Sequence, residues 1–127
     1  MKKILYLDSS SEFAADYLNY LKAYGLDVVH IADSSQVFES LRAAPYGLMI
    51  CDRWCGPVPA ERIGRQLRDP ENPEFRDLPV LIVGPEELRP DEFKWIYKHH
   101  MYFLIKFKSP EEWYQKIITI LNNRCPT

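Results

Sequence analysis

Three side chains able to do chemistry each close an apolar run. Asp8 follows Ile4-Leu5-Tyr6-Leu7, Asp52 follows Leu48-Met49-Ile50-Cys51, and Lys106 follows Tyr102-Phe103-Leu104-Ile105. A fourth run, Val80 to Val83, stops at Gly84. Short apolar runs bounded by breakers read as strands buried on both faces, the pattern of a parallel sheet. Ligands bind at the carboxyl edge of such sheets, so an acid closing a strand is a candidate for chemistry. Asp52 is the most pointed case, because the chain breaks just after it into Trp54-Cys55-Gly56-Pro57. Strands lying side by side would make Asp8, Asp52, Gly84 and Lys106 neighbours at one edge. Two carboxylates beside an ammonium can form a standing ion pair or take part in reactions that gather negative charge.

The segments between the runs must carry the chain back to the start of the next strand, and they read as helices. Ser9 and Glu12 have the spacing of a capping box. Phe13, Tyr17, Leu18 and Leu21 then form one helical face, and Gly25 offers the left-handed residue that closes it. Val28 to Ile31 is a second strand. Asp33 or Ser34 caps a helix with Val37, Phe38 and Leu41 facing inward, and Pro45 stops it. Ile63 and Leu67 mark a short helix after Pro59, and the polar stretch 68–78, with Pro70 and Pro73, reads as a loop. Pro90 or Asp91 begins a fourth helix through Phe93, Ile96 and Tyr97. Ser109-Pro110-Glu111-Glu112 opens the last, with Trp113, Ile117 and Leu121 inward. Strand and helix alternate five times, which predicts an α/β fold: a doubly wound five-stranded parallel sheet in the order 2-1-3-4-5, with Asp8 and Asp52 flanking the switch point.

Composition bounds the rest. The 127 residues, 46% hydrophobic, fit one domain with a sizeable core, taken as residues 1–123 with a tail of 124–127. A formal charge of -2 gives no broad basic field, so direct nucleic-acid binding is not expected. Cys51, Cys55 and Cys125 are odd in number and lack Cys-x-x-Cys spacing, which fits a reduced interior better than a disulfide framework. No run approaches the length of a membrane span or a signal peptide, so a cytoplasmic protein without membrane contact is expected.

Along its whole length the chain resembles the receiver domain of bacterial two-component response regulators, a flavodoxin-like fold. The matching stretches are Ile4 to Asp8, Leu48 to Asp52, Leu78 to Val83, and Phe103 to Lys106 followed by Ser109-Pro110-Glu111-Glu112. The resemblance implies that Asp52 accepts a phosphoryl group from a histidine kinase and that Lys106 contacts that group. It also implies that Asp8, Asp52 and the backbone carbonyl of Trp54 hold magnesium, and that Phe103 is the switch aromatic. A divalent cation in such a site offsets repulsion between carboxylate and phosphoryl group. Output would pass to another protein, or to a second copy, through the fourth helix, fifth strand and fifth helix. The chain would be a signalling partner and not an enzyme.

Four positions depart from that family. Ser9 stands where a second acid is usual, so the magnesium site is expected to be weak. Gly84 replaces the Ser or Thr whose hydroxyl follows the phosphoryl group. Phe107 replaces the proline after the lysine, and His99 the glycine that ends the fourth helix. A second reading therefore stands beside the first: a phosphorylation-independent interaction module, in which Asp52 and Lys106 form a permanent pair that needs no metal. Smaller expectations follow: Ser9 serves as a helix cap, Cys51 and Cys55 are packing residues, and His99-His100 ends a helix with one packed and one solvated ring. The apolar and aromatic surplus at Trp95, Tyr97, Tyr102, Trp113, Tyr114 and Ile118 is mostly core, with one or two exposed members left for a partner. A phosphohydrolase would carry Asp-x-Asp, and Trp54 stands at the second position.

Overall fold

The apolar runs become strands β1 (Lys3–Leu7), β2 (Val28–Ile31), β3 (Tyr46–Asp52), β4 (Val80–Gly84) and β5 (Tyr102–Ile105). They pair in parallel in the order β2-β1-β3-β4-β5, as expected. Helices α1 (Ser11–Ala23), α2 (Val37–Ala43), α3 (Ala60–Leu67), α4 (Pro90–Lys98) and α5 (Pro110–Asn122) make the crossovers. This computed structural model describes residues 3–53 and 60–122, so Trp54, Cys55, Cys125 and the tail 124–127 lie outside the described residues. No helix among the described residues is long and apolar enough to cross a membrane.

Strand side chains alternate between two faces, and each face has its own half of the core. Leu5, Leu7, Met49, Cys51 and Ile82 pack with Val37, Leu41, Ile63 and Ile96, the side of α2, α3 and α4. Ile4, Tyr6, Ile50, Leu81 and Val83 pack with Ala14, Leu21, Trp113 and Ile117, the side of α1 and α5. The last turn of α5 buries Ile120 more deeply than Leu121. Gly25, at φ +88, turns the chain from α1 into β2.

Local chemistry departs from expectation in three places. Ser9 is exposed and is not the cap of α1; the cap position belongs to Ser10, whose side chain makes no capping bond. The cause is Asp8, which takes the Ser10 N–H on its own carboxylate and so delays the start of the helix by one residue. Residues 68–78 are more than a polar loop: a 3-10 turn, Pro73–Phe75, buries Phe75, and Leu78 is buried after it. Arg68 holds this segment by donating to the carbonyls of Phe75, Leu78 and His99 at 2.8–3.0 Å. At the end of α4 the left-handed residue is His100 (φ 56), not His99. His99 N still bonds Trp95 O, so the reversal falls one residue later, where Met101 N closes on Ile96 O. The His99 ring packs on Trp95, and His100 is exposed.

Ile50 lies in the middle of β3 with no exposure. Ile50→Asp is expected to cost on the order of 3–5 kcal/mol, since the strand offers no partner for a carboxylate. Thermal unfolding followed by circular dichroism should fall by more than about 10 °C. An unchanged melting temperature would contradict the buried position of this strand.

Candidate functional site

Parallel pairing brings the ends of β1, β3 and β5 to one edge, and the three expected charges meet there. The Lys106 ammonium lies 3.1 Å from Asp8 Oδ2 and 3.2 Å from Asp52 Oδ2. All three residues are buried, at 0% (Asp8), 6% (Asp52) and 8% (Lys106) exposure. One ammonium thus serves two carboxylates in a region of low polarity, where charge interactions are strong and an unmatched charge is expensive. The lysine is fixed at both ends: its N–H donates to Gly84 O at 2.6 Å, and its carbonyl accepts the Trp113 indole N–H at 3.1 Å. Its ammonium also sits 4.4 Å from the centre of the Phe13 ring, a cation–π contact that shields it on the α1 side.

Asp8 is the most heavily bonded member. Its Oδ2 accepts the Tyr6 hydroxyl at 2.7 Å, its Oδ1 accepts the Ser10 N–H at 2.8 Å, and His30 Nε2 lies 2.8 Å from its backbone carbonyl. Burial first, then the hydrogen bond to Asp8 and the charges of Asp8 and Asp52, push the Tyr6 phenol well above the ordinary tyrosine range. Tyr6 and His30 were not among the sequence candidates. The signal was present: Tyr6 stands two residues before Asp8, on the same face of β1, and His30 is its partner across the β1–β2 register.

Gly84 and Phe103 belong to the opposite side of the sheet. A Cβ on Gly84 would meet Phe103 Cε1 at 3.2 Å and Arg53 Cδ at 3.3 Å. The side chain of Arg53 therefore occupies the space that a Ser or Thr would need. The Arg53 guanidinium is ion-paired with Glu92 on α4 and lies 3.5 Å from Glu61 on α3. The reading of Gly84 as a lost hydroxyl thus acquires a steric reason, and Arg53 joins the site as a residue that sequence inspection passed over. Only its place next to Asp52 pointed to it.

The donor set can be weighed against a magnesium ion. Magnesium asks for oxygen ligands in an octahedron and keeps several waters. Both oxygens of Asp8 already accept protein donors, and Lys106 stands between the carboxylates where a cation would neutralise them. Ser9 points no carboxylate into the edge, and the Trp54 carbonyl lies outside the described residues. Among the described residues no group of three or more His, Cys, Asp or Glu side chains converges on a metal position. The described donors do not fit a magnesium ion in this arrangement.

No family model matches the chain, and no curated protein matches it. Solved structures do. The chemotaxis protein CheY4 of Vibrio cholerae superposes with a TM-score of 0.84 at 18% identity, over 94% of this chain and 98% of that one. A two-component response regulator from Clostridium difficile gives 0.84 at 14% identity, over 99% and 100%. A CheY-like receiver domain protein from Methanospirillum hungatei gives 0.83 at 13% identity, over 98% and 96%. At these identities the likeness establishes a shared fold over nearly the full length of the chain.

The Tyr6 phenol gives the site a pH signature. Its folded pKa is raised, so the folded protein keeps a proton that the unfolded chain releases near pH 10. Stability present below that pH should be lost as pH rises above about 10. Tyr6→Phe should remove this part of the decline and cost about 1–3 kcal/mol at neutral pH, because a buried carboxylate loses a donor. Urea unfolding at pH 8 and pH 11 reads both effects; identical alkaline decline in the two proteins would contradict the assignment.

Proposed function

With the receiver fold as premise, we propose that this chain is an atypical response regulator receiver domain in two-component signalling, with Asp52 as phosphoryl acceptor and contacts with other proteins as its output. The observation that carries this reading is the convergence of Asp8, Asp52 and Lys106 at the carboxyl edge within 3.2 Å. In this reading an Asp52 oxygen forms a bond to phosphorus as the phosphorus–nitrogen bond of a histidine kinase phosphohistidine breaks. The imidazole retains the electron pair and takes up a proton. Lys106 moves from pairing two carboxylates to offsetting the charge of the added phosphoryl oxygens, and Asp8 keeps the ammonium aimed at the site. Magnesium affinity is weak in this account, because Ser9 supplies no charge and Lys106 competes for the carboxylates.

The partner-facing side is α4, β5 and α5. Phe93 is 60% and Tyr97 76% exposed there, and they border a groove of about 520 Å³ with Leu88, Met101, Lys108 and Lys116. Apolar rings with a charged rim suit a protein surface, either another signalling protein or a second copy. The chain is a signalling partner in this reading and not an enzyme. A second reading, the phosphorylation-independent module, draws on the Lys106 bridge and on the filled space above Gly84.

Intact-mass analysis after incubation with acetyl phosphate and magnesium separates the two. The first reading expects a phosphoryl adduct that disappears in Asp52→Asn. A folded protein with no adduct would support the second. Ser9→Asp should tighten magnesium binding, followed by tryptophan fluorescence, by about tenfold or more; an unchanged titration would contradict the role given to this position.

A further inference from the structure

The site and α4 need a physical link, and Gly84 carries no hydroxyl to make it. Arg53 follows Asp52 directly but belongs to the other side of the sheet. Its backbone is pinned twice: its N–H donates to Val83 O at 2.8 Å, and its carbonyl accepts the Ala60 N–H at the start of α3 at 3.1 Å. Its side chain passes over Gly84 and ends in the ion pair with Glu92, both partners largely out of solvent. Glu92 in turn holds the start of α4, accepting the Arg89 N–H at 2.9 Å and lying 3.3 Å from the Arg89 guanidinium. A continuous chain of bonded groups thus runs from the residue after Asp52 to the first turn of the helix that bears Phe93 and Tyr97.

We propose that Arg53 is the positioning residue that couples Asp52 to α4, by holding Glu92 while Asp52 is unmodified and leaving it for an anion bonded to Asp52. The proposal rests on the receiver reading for its trigger, but not for the link itself. Guanidinium groups prefer phosphoryl oxygens that can be met by two N–H donors, so a dianion on the adjacent residue competes with the carboxylates of Glu92 and Glu61 for Arg53. Loss of Arg53 frees Glu92 and loosens the first turn of α4. A side chain at Gly84 would press on the Arg53 stem and the Phe103 ring, which gives a reason for the glycine other than decay of a switch.

Backbone hydrogen exchange across residues 90–98 tests this in wild type, Arg53→Gln, Glu92→Gln, Asp52→Asn and the double variant Asp52→Asn with Arg53→Gln. Arg53→Gln and Glu92→Gln should each speed exchange in the first turn of α4 by about tenfold. Asp52→Asn, which cannot carry the anion, should leave α4 exchange close to wild type, and the double variant should exchange like Arg53→Gln alone. The isosteric Glu92→Gln, away from the strand end, keeps the test valid if Arg53→Gln does not fold. An acetyl phosphate adduct, confirmed by mass, should also speed α4 exchange in wild type and not in Glu92→Gln. Unaltered α4 exchange in folded Arg53→Gln or Glu92→Gln, or an equal response to the adduct with and without the Glu92 carboxylate, would overturn the link. Faster α4 exchange in folded Arg53→Gln and Glu92→Gln with no adduct formed on wild type would overturn phosphoryl acceptance and leave the link standing.

Discussion

An ammonium lodged between two buried carboxylates constrains the whole carboxyl edge of this sheet. Lys106 and Asp52 are 54 residues apart in the chain, and their contact exists only if β3, β4 and β5 lie in the observed register. Three charges out of water would be unfavourable without further bonds, and for Asp8 and Lys106 these are supplied locally: the Tyr6 hydroxyl and Ser10 N–H for Asp8, the Phe13 ring for Lys106. Such a cluster adds little net stability against an apolar substitute. It makes removal of any one member costly, and so it fixes geometry.

The pleat of the sheet divides the work. Asp8, Asp52 and Lys106 lie on the side of α1 and α5, continuing the alternation of Tyr6, Ile50 and Leu104. Gly84, Arg53 and Phe103 lie on the side of α3 and α4. The charge cluster and the groups that touch α4 are thus separated by one layer of backbone. Adjacent residues, Asp52 and Arg53, straddle that layer, so their side chains contact opposite sides of the sheet.

The fold was legible because its signals are strong and redundant. Four or five consecutive apolar residues per strand, with polar helix-length spacers, leave few topologies other than a doubly wound parallel sheet. The convergence of Asp8, Asp52 and Lys106 followed from topology alone, since strand ends share an edge. What escaped was decided by side-chain reach. Ser9 looked like a cap by spacing, but the Asp8 carboxylate takes the Ser10 N–H and the cap position falls on Ser10. Tyr6 read as an ordinary core residue because its apolar ring hides the hydroxyl that bonds Asp8. Phe75 was missed, and Leu78 was taken as the end of a polar loop, because prolines and charges around them mask two apolar anchors. Arg53 was passed over because its partners, Glu61 and Glu92, are brought near only by the packing of α3 and α4.

Lys106 holds both carboxylates, and nitrogen-15 NMR of the lysine side-chain ammonium groups reads this directly. Lys106 should give a slowly exchanging ammonium signal set apart from exposed lysines such as Lys98 and Lys108, and this signal should shift in both Asp8→Asn and Asp52→Asn. A Lys106 ammonium that exchanges with water as fast as those lysines, or that responds to only one of the two substitutions, would contradict the bridge on which this account of the edge rests.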